Sequence, residues 1–371
     1  MDLTLTPEQE LIRRSAREFV EREIAPHARD WDRDEAMDRG IVPKLAEIGF
    51  LAGWELDTVS YCLVMEELGR ADSSVRGIVS VNVGLVGKTI GKWGTEEQKQ
   101  EWLPRLASGE SLGCYALTEP GAGSDPGSLV TRAERGADGW TITGSKIFIT
   151  LGTWAGLALV FARTGEAITC FLVPTASPGF SAHPIKGKLG LRAQDTGELT
   201  LDGVHVPAEN VLAGEGEGMK VALSALDIGR ISLAAGCVGI AQGCLDASLS
   251  YAAERQQFGR SIASFQLVQE LLAEIAVETE AARLLTWKAA LAADSGSRHT
   301  LESSVAKYYA SEAAVRAANA AVQVHGGYGY VDEYPVGKYL RDARVTTLYE
   351  GTSQIQKLII GRALTGENAF V

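Results

Sequence analysis

The hydrophobic period changes twice along this chain, and that alternation constrains its fold more than any single motif does. Over residues 6–113 apolar side chains recur at helical spacing, and two of the runs are headed by capping signals, Thr6-Pro7-Glu8-Gln9 and Thr95-Glu96-Glu97-Gln98. From Cys114 to about Leu212 the period falls to two. Trp140-Thr141-Ile142-Thr143 and Lys146-Ile147-Phe148-Ile149-Thr150 flank Gly144-Ser145, which predicts a hairpin turning at that glycine. Residues 197–207 alternate in the same way and stop at proline, as a strand does. The unbroken apolar run 157–162 fits a buried strand or a helix segment, and its flanking turns favour strand. Helical spacing returns over 219–254, 265–294, 301–325 and, more briefly, 353–364. The expected fold is therefore an α+β multidomain protein: an N-terminal helical domain (1–113), a middle β-barrel-like domain (114–215) and a C-terminal four-helix bundle (216–371).

Composition narrows the function classes. The 371 residues include 35 basic and 47 acidic side chains, and the net charge of -12 repels polyanions, so neither nucleic acid nor an anionic membrane surface is an expected partner. The start of the chain is acidic and lacks the basic head and apolar stretch of a signal peptide, which predicts a cytoplasmic protein. No stretch approaches the roughly 18 unbroken apolar residues of a membrane span, so no membrane insertion is expected. The five cysteines (Cys62, Cys114, Cys170, Cys237, Cys244) are odd in number and widely spaced, without a CxxC. They suggest buried apolar residues, not a disulfide framework or a metal site.

Three segments could carry chemistry. Tyr115-Ala116-Leu117-Thr118-Glu119-Pro120-Gly121-Ala122-Gly123-Ser124-Asp125 gathers hydroxyls and glycines at the first domain junction. It could present backbone amides to a polar ring or a phosphate, or serve simply as a turn between domains. In Glu254-Arg255-Gln256-Gln257-Phe258-Gly259-Arg260 two arginines flank an aromatic at a helix end; they could fork onto a diphosphate or merely complement the helix dipole. In Leu348-Tyr349-Glu350-Gly351-Thr352-Ser353-Gln354 a carboxylate precedes a glycine and two hydroxyls. Desolvation there would raise the pKa of Glu350, whereas exposure would leave it a capping acid. No GxGxxG follows a strand and no P-loop lysine occurs, which excludes Rossmann and nucleotide-hydrolase readings.

The strings YALTEPGAGSD, GSKIFIT, ERQQFGR, AVQVHGGYGYVDEYPV and YEGTSQIQ occur in an order and spacing that resemble the acyl-CoA dehydrogenase family across nearly the whole chain. The resemblance implies FAD as cofactor, an acyl-CoA substrate, an electron-transfer flavoprotein as acceptor and a homotetramer built as a dimer of dimers. It implies that Glu350 is the base removing the α-proton of the thioester, while the β-hydrogen leaves as hydride and a trans-2-enoyl thioester forms. It further implies that the Glu350 amide helps to hold the thioester oxygen, with Gly351 beside the substrate. Tyr115, Leu117 and Thr118 match flavin contacts and Ser124 the substrate side. Phe148, Ile149 and Thr150 match the segment beside flavin N5. Arg255, Gln257, Phe258 and Gln266 match contacts to the FAD diphosphate and adenine, and Gln323, Gly326 and Gly327 match contacts made across a dimer. Thr352 and Gln354 match cofactor contacts after the base, and Asp227 and Arg230 match residues near the thioester and its nucleotide arm. Isovaleryl-CoA dehydrogenases carry their base just before the position of Arg230, which is Gly229 here.

LDIGRISLAAG and EAARLLTWKAAL are similar to short-chain or butyryl-CoA dehydrogenases, which implies a short- or medium-chain acyl group. Against this, Ala71-Asp72-Ser73-Ser74-Val75-Arg76 with Ser80-Val81, and GRALTGENAF near the C-terminus, resemble glutaryl-CoA dehydrogenases, in which the arginine matched by Arg76 holds a distal carboxylate. The acid that those enzymes place seven positions earlier is Gly69 here. A dicarboxylic or polar acyl group, or a carrier-protein thioester, is thus the alternative substrate. Around residues 48–56 relatives carry a surface loop roughly ten residues longer. An acyl-CoA oxidase, and a flavin- or acyl-binding module without turnover, are the competing functions, and Glu350 argues against the inert module.

Overall fold

The computed structural model describes residues 4–370. The N-terminal part comprises α1 (Pro7–Glu23), α2 (Ala28–Asp34), α3 (Ile41–Glu47), a 3-10 segment (Phe50–Glu55), α4 (Thr58–Ala71), α5 (Ser73–Val79), a π-helical stretch (Ser80–Gly87), α6 (Lys88–Trp93) and α7 (Glu96–Ala107). Both capping boxes form: Thr6 and Gln9, and Thr95 and Gln98, exchange side-chain and backbone hydrogen bonds. The 3-10 segment connects α3 to α4. Asp72 caps α5, accepting from the amides of Ser74 (2.6 Å) and Val75 (2.9 Å), and so starts the helix that carries Arg76.

The middle part is one eight-stranded sheet of β1 (Gly113–Ala116), β2 (Arg132–Arg135), β3 (Gly139–Thr150), β4 (Leu157–Thr164), β5 (Ala167–Pro174), β6 (Phe180–Pro184), β7 (Thr196–Pro207) and β8 (Val211–Leu212). The order is β6-β7-β3-β2-β4-β5-β8, with β1 parallel to β4. The ambiguous apolar run is strand β4, whose residues from Leu157 to Ala162 are all buried, as a strand covered on both faces must be. The hairpin expected at Gly144-Ser145 is absent. That glycine lies within continuous β3, at a register shift against β7, where a Cβ would overlap Thr131. It is a close-approach glycine in a bulge. The turn lies earlier, between β2 and β3, closed by a hydrogen bond from Gly136 N to Gly139 O at 2.8 Å.

The C-terminal part comprises α8 (Gly218–Glu254), a short ladder of β9 (Gln256–Gln257) and β10 (Arg260–Ser261), α9 (Gln266–Asp294), α10 (Thr300–His325), α11 (Val336–Thr346) and α12 (Ser353–Thr365). Helices α8, α9 and α10 pack on one another, α12 lies on α10, and α4 covers a further face of α8 and α9. Helix α11 escaped the periodicity because charge fills two of its core positions. The Lys338 ammonium sits 2.6 Å from Asp342 and 2.9 Å from Asp72, all three carried into the interior. Helix α8 also departs from expectation. A stretch of mean hydropathy 1.6 makes it apolar enough by composition to span a membrane, yet its small residues serve close packing: Gly69 of α4 lies directly against Gly236. All five cysteines are buried and unpaired.

Candidate active site

Where the three parts meet, a cavity of about 1080 Å³ opens. It is bordered by Arg76 and Ser80 from α5 and the π-helical stretch, and by Tyr115, Leu117, Thr118 and Ser124 from β1 and its following loop. Phe148, Ile149 and Thr150 from β3, Asp227 and Arg230 from α8, and Glu350 and Gly351 between α11 and α12 complete it. Thirteen residues that the sequence scatters over three domains thus share one space. Its volume stands at the upper end of the roughly 300–1,000 Å³ usual for ligand pockets, which leaves room for a flat ring system and a second ligand against it.

Glu350 adopts a left-handed backbone (φ +58°), followed by Gly351 at φ +85°. Such a conformation costs a non-glycine residue about 1–3 kcal/mol, and here four hydrogen bonds from three side chains hold it. Gln356 Nε2 donates to the carbonyls of Glu350 (2.9 Å) and Gly351 (3.0 Å), Arg230 Nε reaches the Glu350 carbonyl at 3.4 Å, and Lys307 Nζ donates to the Gly351 carbonyl at 2.7 Å. Arg230 is itself held by Asp227 at 2.8 Å, and Asp227 accepts from Thr300 at 2.7 Å. The carboxylate faces α8 at Gly229, where a Cβ would come within 2.6 Å of Oε2, so any side chain there would displace the acid. Oε2 has no hydrogen-bond partner among the described residues. Burial pushes the carboxyl up to about 7 against the opposing pull of Arg230, Lys307 and Arg76.

Opposite the acid, two edges are tied together. The loop after β1 turns tightly at Pro120-Gly121, with Glu119 and Ala122 exchanging backbone hydrogen bonds. The Glu119 carboxylate accepts from the amides of Val130 (2.6 Å) and Thr131 (3.0 Å) and from the buried Lys146 ammonium at 2.7 Å. Lys146 also donates to the carbonyls of Leu117 and Phe161. Just beyond it β3 bulges, Phe148 takes φ +59°, and its ring stands 65% exposed at the cavity. Thr150 accepts from Gln194 Nε2 at 3.1 Å. An exposed aromatic face beside hydroxyls and free backbone suits a planar polar ring, so these residues fit a flavin.

Arg76 is 3% exposed; Nη2 donates to the Tyr349 hydroxyl at 2.8 Å, and Nη1 has no partner. No carboxylate pairs with it among the described residues. Gly69 packs on Gly236 and does not border the cavity.

The remaining expected residues lie elsewhere. Arg255, Gln257, Phe258, Gly326 and Gly327 border a second cavity of about 690 Å³ at the far end of α8 and α10. Phe258 and Gly259 form the turn of the β9–β10 ladder at φ +51° and +76°, which leaves Phe258 94% exposed. Arg255 lies over the Tyr328 ring at 5.4 Å. Gln266, Gln323, Thr352 and Gln354 border neither cavity. Thr352 instead caps α12, accepting from Ile355 N at 3.2 Å. Within one chain, then, Thr118, Phe148, Ile149 and Thr150, matched to the flavin end of FAD, and Arg255, Gln257 and Phe258, matched to its other end, border two separate cavities.

Sequence reasoning missed Gln356, Gln194 and Lys307. For Lys307 a signal existed: it stands in phase with Ser303, Ser304, Ala310, Ser311 and Ala314 on the buried face of α10. A lysine in such a stripe needs a partner.

Compared with known proteins, the chain matches the N-terminal, middle and C-terminal domains of acyl-CoA dehydrogenase over residues 6–110, 114–204 and 216–365. It is 43% identical to a probable acyl-CoA dehydrogenase of Bacillus subtilis, covering 98% of this chain and 100% of that protein. It is 41% identical to the mitochondrial short-chain specific acyl-CoA dehydrogenase of Mus musculus, covering 95% and 88%. Among solved structures, butyryl-CoA dehydrogenase from Megasphaera elsdenii superposes with a TM-score of 0.96 at 38% identity (98% and 100% covered). Glutaryl-CoA dehydrogenase from Mycobacterium smegmatis superposes with 0.96 at 40% (99% and 97%). A chain in a structure described as the electron transferring flavoprotein of Acidaminococcus fermentans superposes with 0.97 at 40% (99% and 100%).

Proposed function

The chain belongs to the acyl-CoA dehydrogenase family of FAD-dependent oxidoreductases, and on that premise we propose that it converts a short- or medium-chain acyl-CoA to its trans-2-enoyl-CoA with Glu350 as the base. The observation that carries this reading is the Glu350 carboxylate, raised to about 7, with Oε2 left without a hydrogen-bond partner among the described residues, at the main cavity. A base with a pKa near the working pH combines availability with driving force. FAD, when bound, supplies the acceptor for the β-hydrogen as hydride. Glu350 takes the α-proton, so that the two departing hydrogens leave a carbon–carbon double bond. The Glu350 amide, aimed by the left-handed turn, serves as one donor to the thioester oxygen, where negative charge develops. Thr118, Phe148, Ile149 and Thr150 bind and orient the ring of the cofactor, and Ser124, Asp227 and Arg230 the thioester and its arm. The outer part of the cofactor falls to Arg255, Gln257, Phe258, Gly326 and Gly327 of a second copy, within a dimer of dimers. Electrons pass on to an electron-transfer flavoprotein.

A second reading concerns the far end of the acyl group. An unpaired buried guanidinium is costly, and a charge-assisted hydrogen bond to it is worth roughly 1.5–3 kcal/mol. Arg76, with Tyr349 and Ser80 beside it, supports an acyl group that ends in a carboxylate or another acceptor. Anaerobic titration of the holoenzyme with butyryl-CoA, octanoyl-CoA and glutaryl-CoA, following loss of the oxidised flavin band, tests both. Bleaching by butyryl-CoA or octanoyl-CoA supports a monocarboxylic substrate. Bleaching by glutaryl-CoA alone, abolished in Arg76→Ala, supports the second reading.

A further inference from the structure

We propose that Lys307 is the positioning residue of the base: its ammonium holds the Gly351 carbonyl, fixing the left-handed turn that aims Glu350, and places a cation behind the carboxylate. The proposal rests on the reading of Glu350 as the base. Lys307 is fully buried on α10, no carboxylate pairs with it among the described residues, and its one hydrogen bond goes to the Gly351 carbonyl at 2.7 Å. A buried lysine without an acidic partner is expensive to keep, so its position asks for a use. Gln356 grips the same peptide from the other side, so the Glu350–Gly351 turn is clamped between α10 and α12. Because φ at Glu350 fixes both its side chain and its amide, one clamp sets base and oxyanion donor together.

The electrostatics agree with the geometry. The charged groups facing Glu350 are Arg230 from α8, Lys307 from α10 and Arg76 from α5, each drawing the carboxyl down against burial. The hydroxyls of Tyr61, Tyr115 and Tyr349 also feel its charge. Lys307 in turn faces Glu350, Arg230, Cys237 and Glu312, and burial brings it down to about 8. The Glu350 carboxylate favours the charged form of Lys307, as Lys307 favours the charged form of Glu350. Without that charge Glu350 must titrate higher.

The test is the pH dependence of the second-order rate constant for anaerobic flavin reduction, which reports groups of the free enzyme. It uses whichever of butyryl-CoA and glutaryl-CoA reduces the wild-type holoenzyme. Lys307→Met should move the acid limb upward by on the order of one pH unit and lower the alkaline plateau roughly tenfold. Lys307→Gln keeps a donor for the Gly351 carbonyl while losing the charge; it should move the limb and keep most of the plateau, and it carries the test if the Met variant does not fold. A lowered plateau with the limb in place would make Lys307 a purely structural residue and overturn the proposal, as would wild-type profiles in both variants. Glu350→Gln is the control: flavin reduction at the wild-type rate would sink the base reading itself, independently of Lys307.

Discussion

Around Glu350 the chain fixes the backbone from within itself: Asp227 holds Arg230, Thr300 holds Asp227, and Lys307, Gln356 and Arg230 hold the turn. Around the second cavity it does not. There Phe258 stands almost fully exposed, Gly326 and Gly327 lie open, and Arg255 has only a tyrosine ring beneath it. The first region is preorganised by buried hydrogen bonds and tolerates backbone strain because of them. The second presents an exposed aromatic ring beside an arginine that has no ion pair among the described residues. On the proposed function the two differ because proton abstraction needs fixed geometry inside one subunit, whereas gripping the outer half of a long cofactor can be shared between copies.

Glu350→Gln should break the first region most severely. The amide keeps the shape and the turn but cannot accept the proton, so flavin should stay bound and oxidised, with reduction by substrate slowed by at least about 10²-fold. In the unmodified protein reduction should rise with pH through about 7, as the carboxyl ionises. Stopped-flow absorbance at the flavin band checks both, and near-normal bleaching in the variant would refute the assignment.

The unequal self-sufficiency of the two regions also sets how much of each was legible in the sequence. The helix–sheet–helix order followed from hydrophobic period, a local signal, whereas Glu350 beside its glycine read equally as a desolvated or a capping acid, and only the family resemblance made it the base. Helix α11 was not legible: Lys338 and Asp342 occupy core positions that become intelligible only once Asp72, far away in sequence, arrives to share the lysine. Gly144 read as a turn because the segment that presses on it, at Thr131 just before β2, is invisible in a one-dimensional pattern. The clamp of Lys307 on Gly351 spans 44 residues and has no spacing rule. What the sequence hides in each case is a long-range partner that inverts a residue's ordinary preference.

A substitution in the second cavity should act on cofactor retention and leave the proton chemistry alone. Arg255→Ala removes a cation that can pair with a diphosphate, and FAD should bind roughly tenfold more weakly. The stability of the apoprotein should hardly change, since no ion pair of Arg255 is lost among the described residues. Fluorescence titration with FAD and thermal unfolding separate the two effects. Unchanged affinity would remove the second cavity from the cofactor site and dissolve the comparison.

The smallest effect is expected at Thr352, which belongs to the first region by sequence but borders neither cavity. Its hydroxyl accepts from Ile355 N and starts α12, whose first turn carries Gln356. Thr352→Ala should therefore cost about 1 kcal/mol of stability, the usual loss of a helix cap, while Thr352→Ser should retain it. Because Gln356 and Lys307 still grip the turn, flavin reduction and FAD affinity should stay within a few-fold of the parent protein. A tenfold or greater loss of FAD affinity in Thr352→Ala, rescued by Thr352→Ser, would show that the hydroxyl proton reaches the cofactor as well. The boundary between the two regions would then fall inside α12 and not between the two cavities.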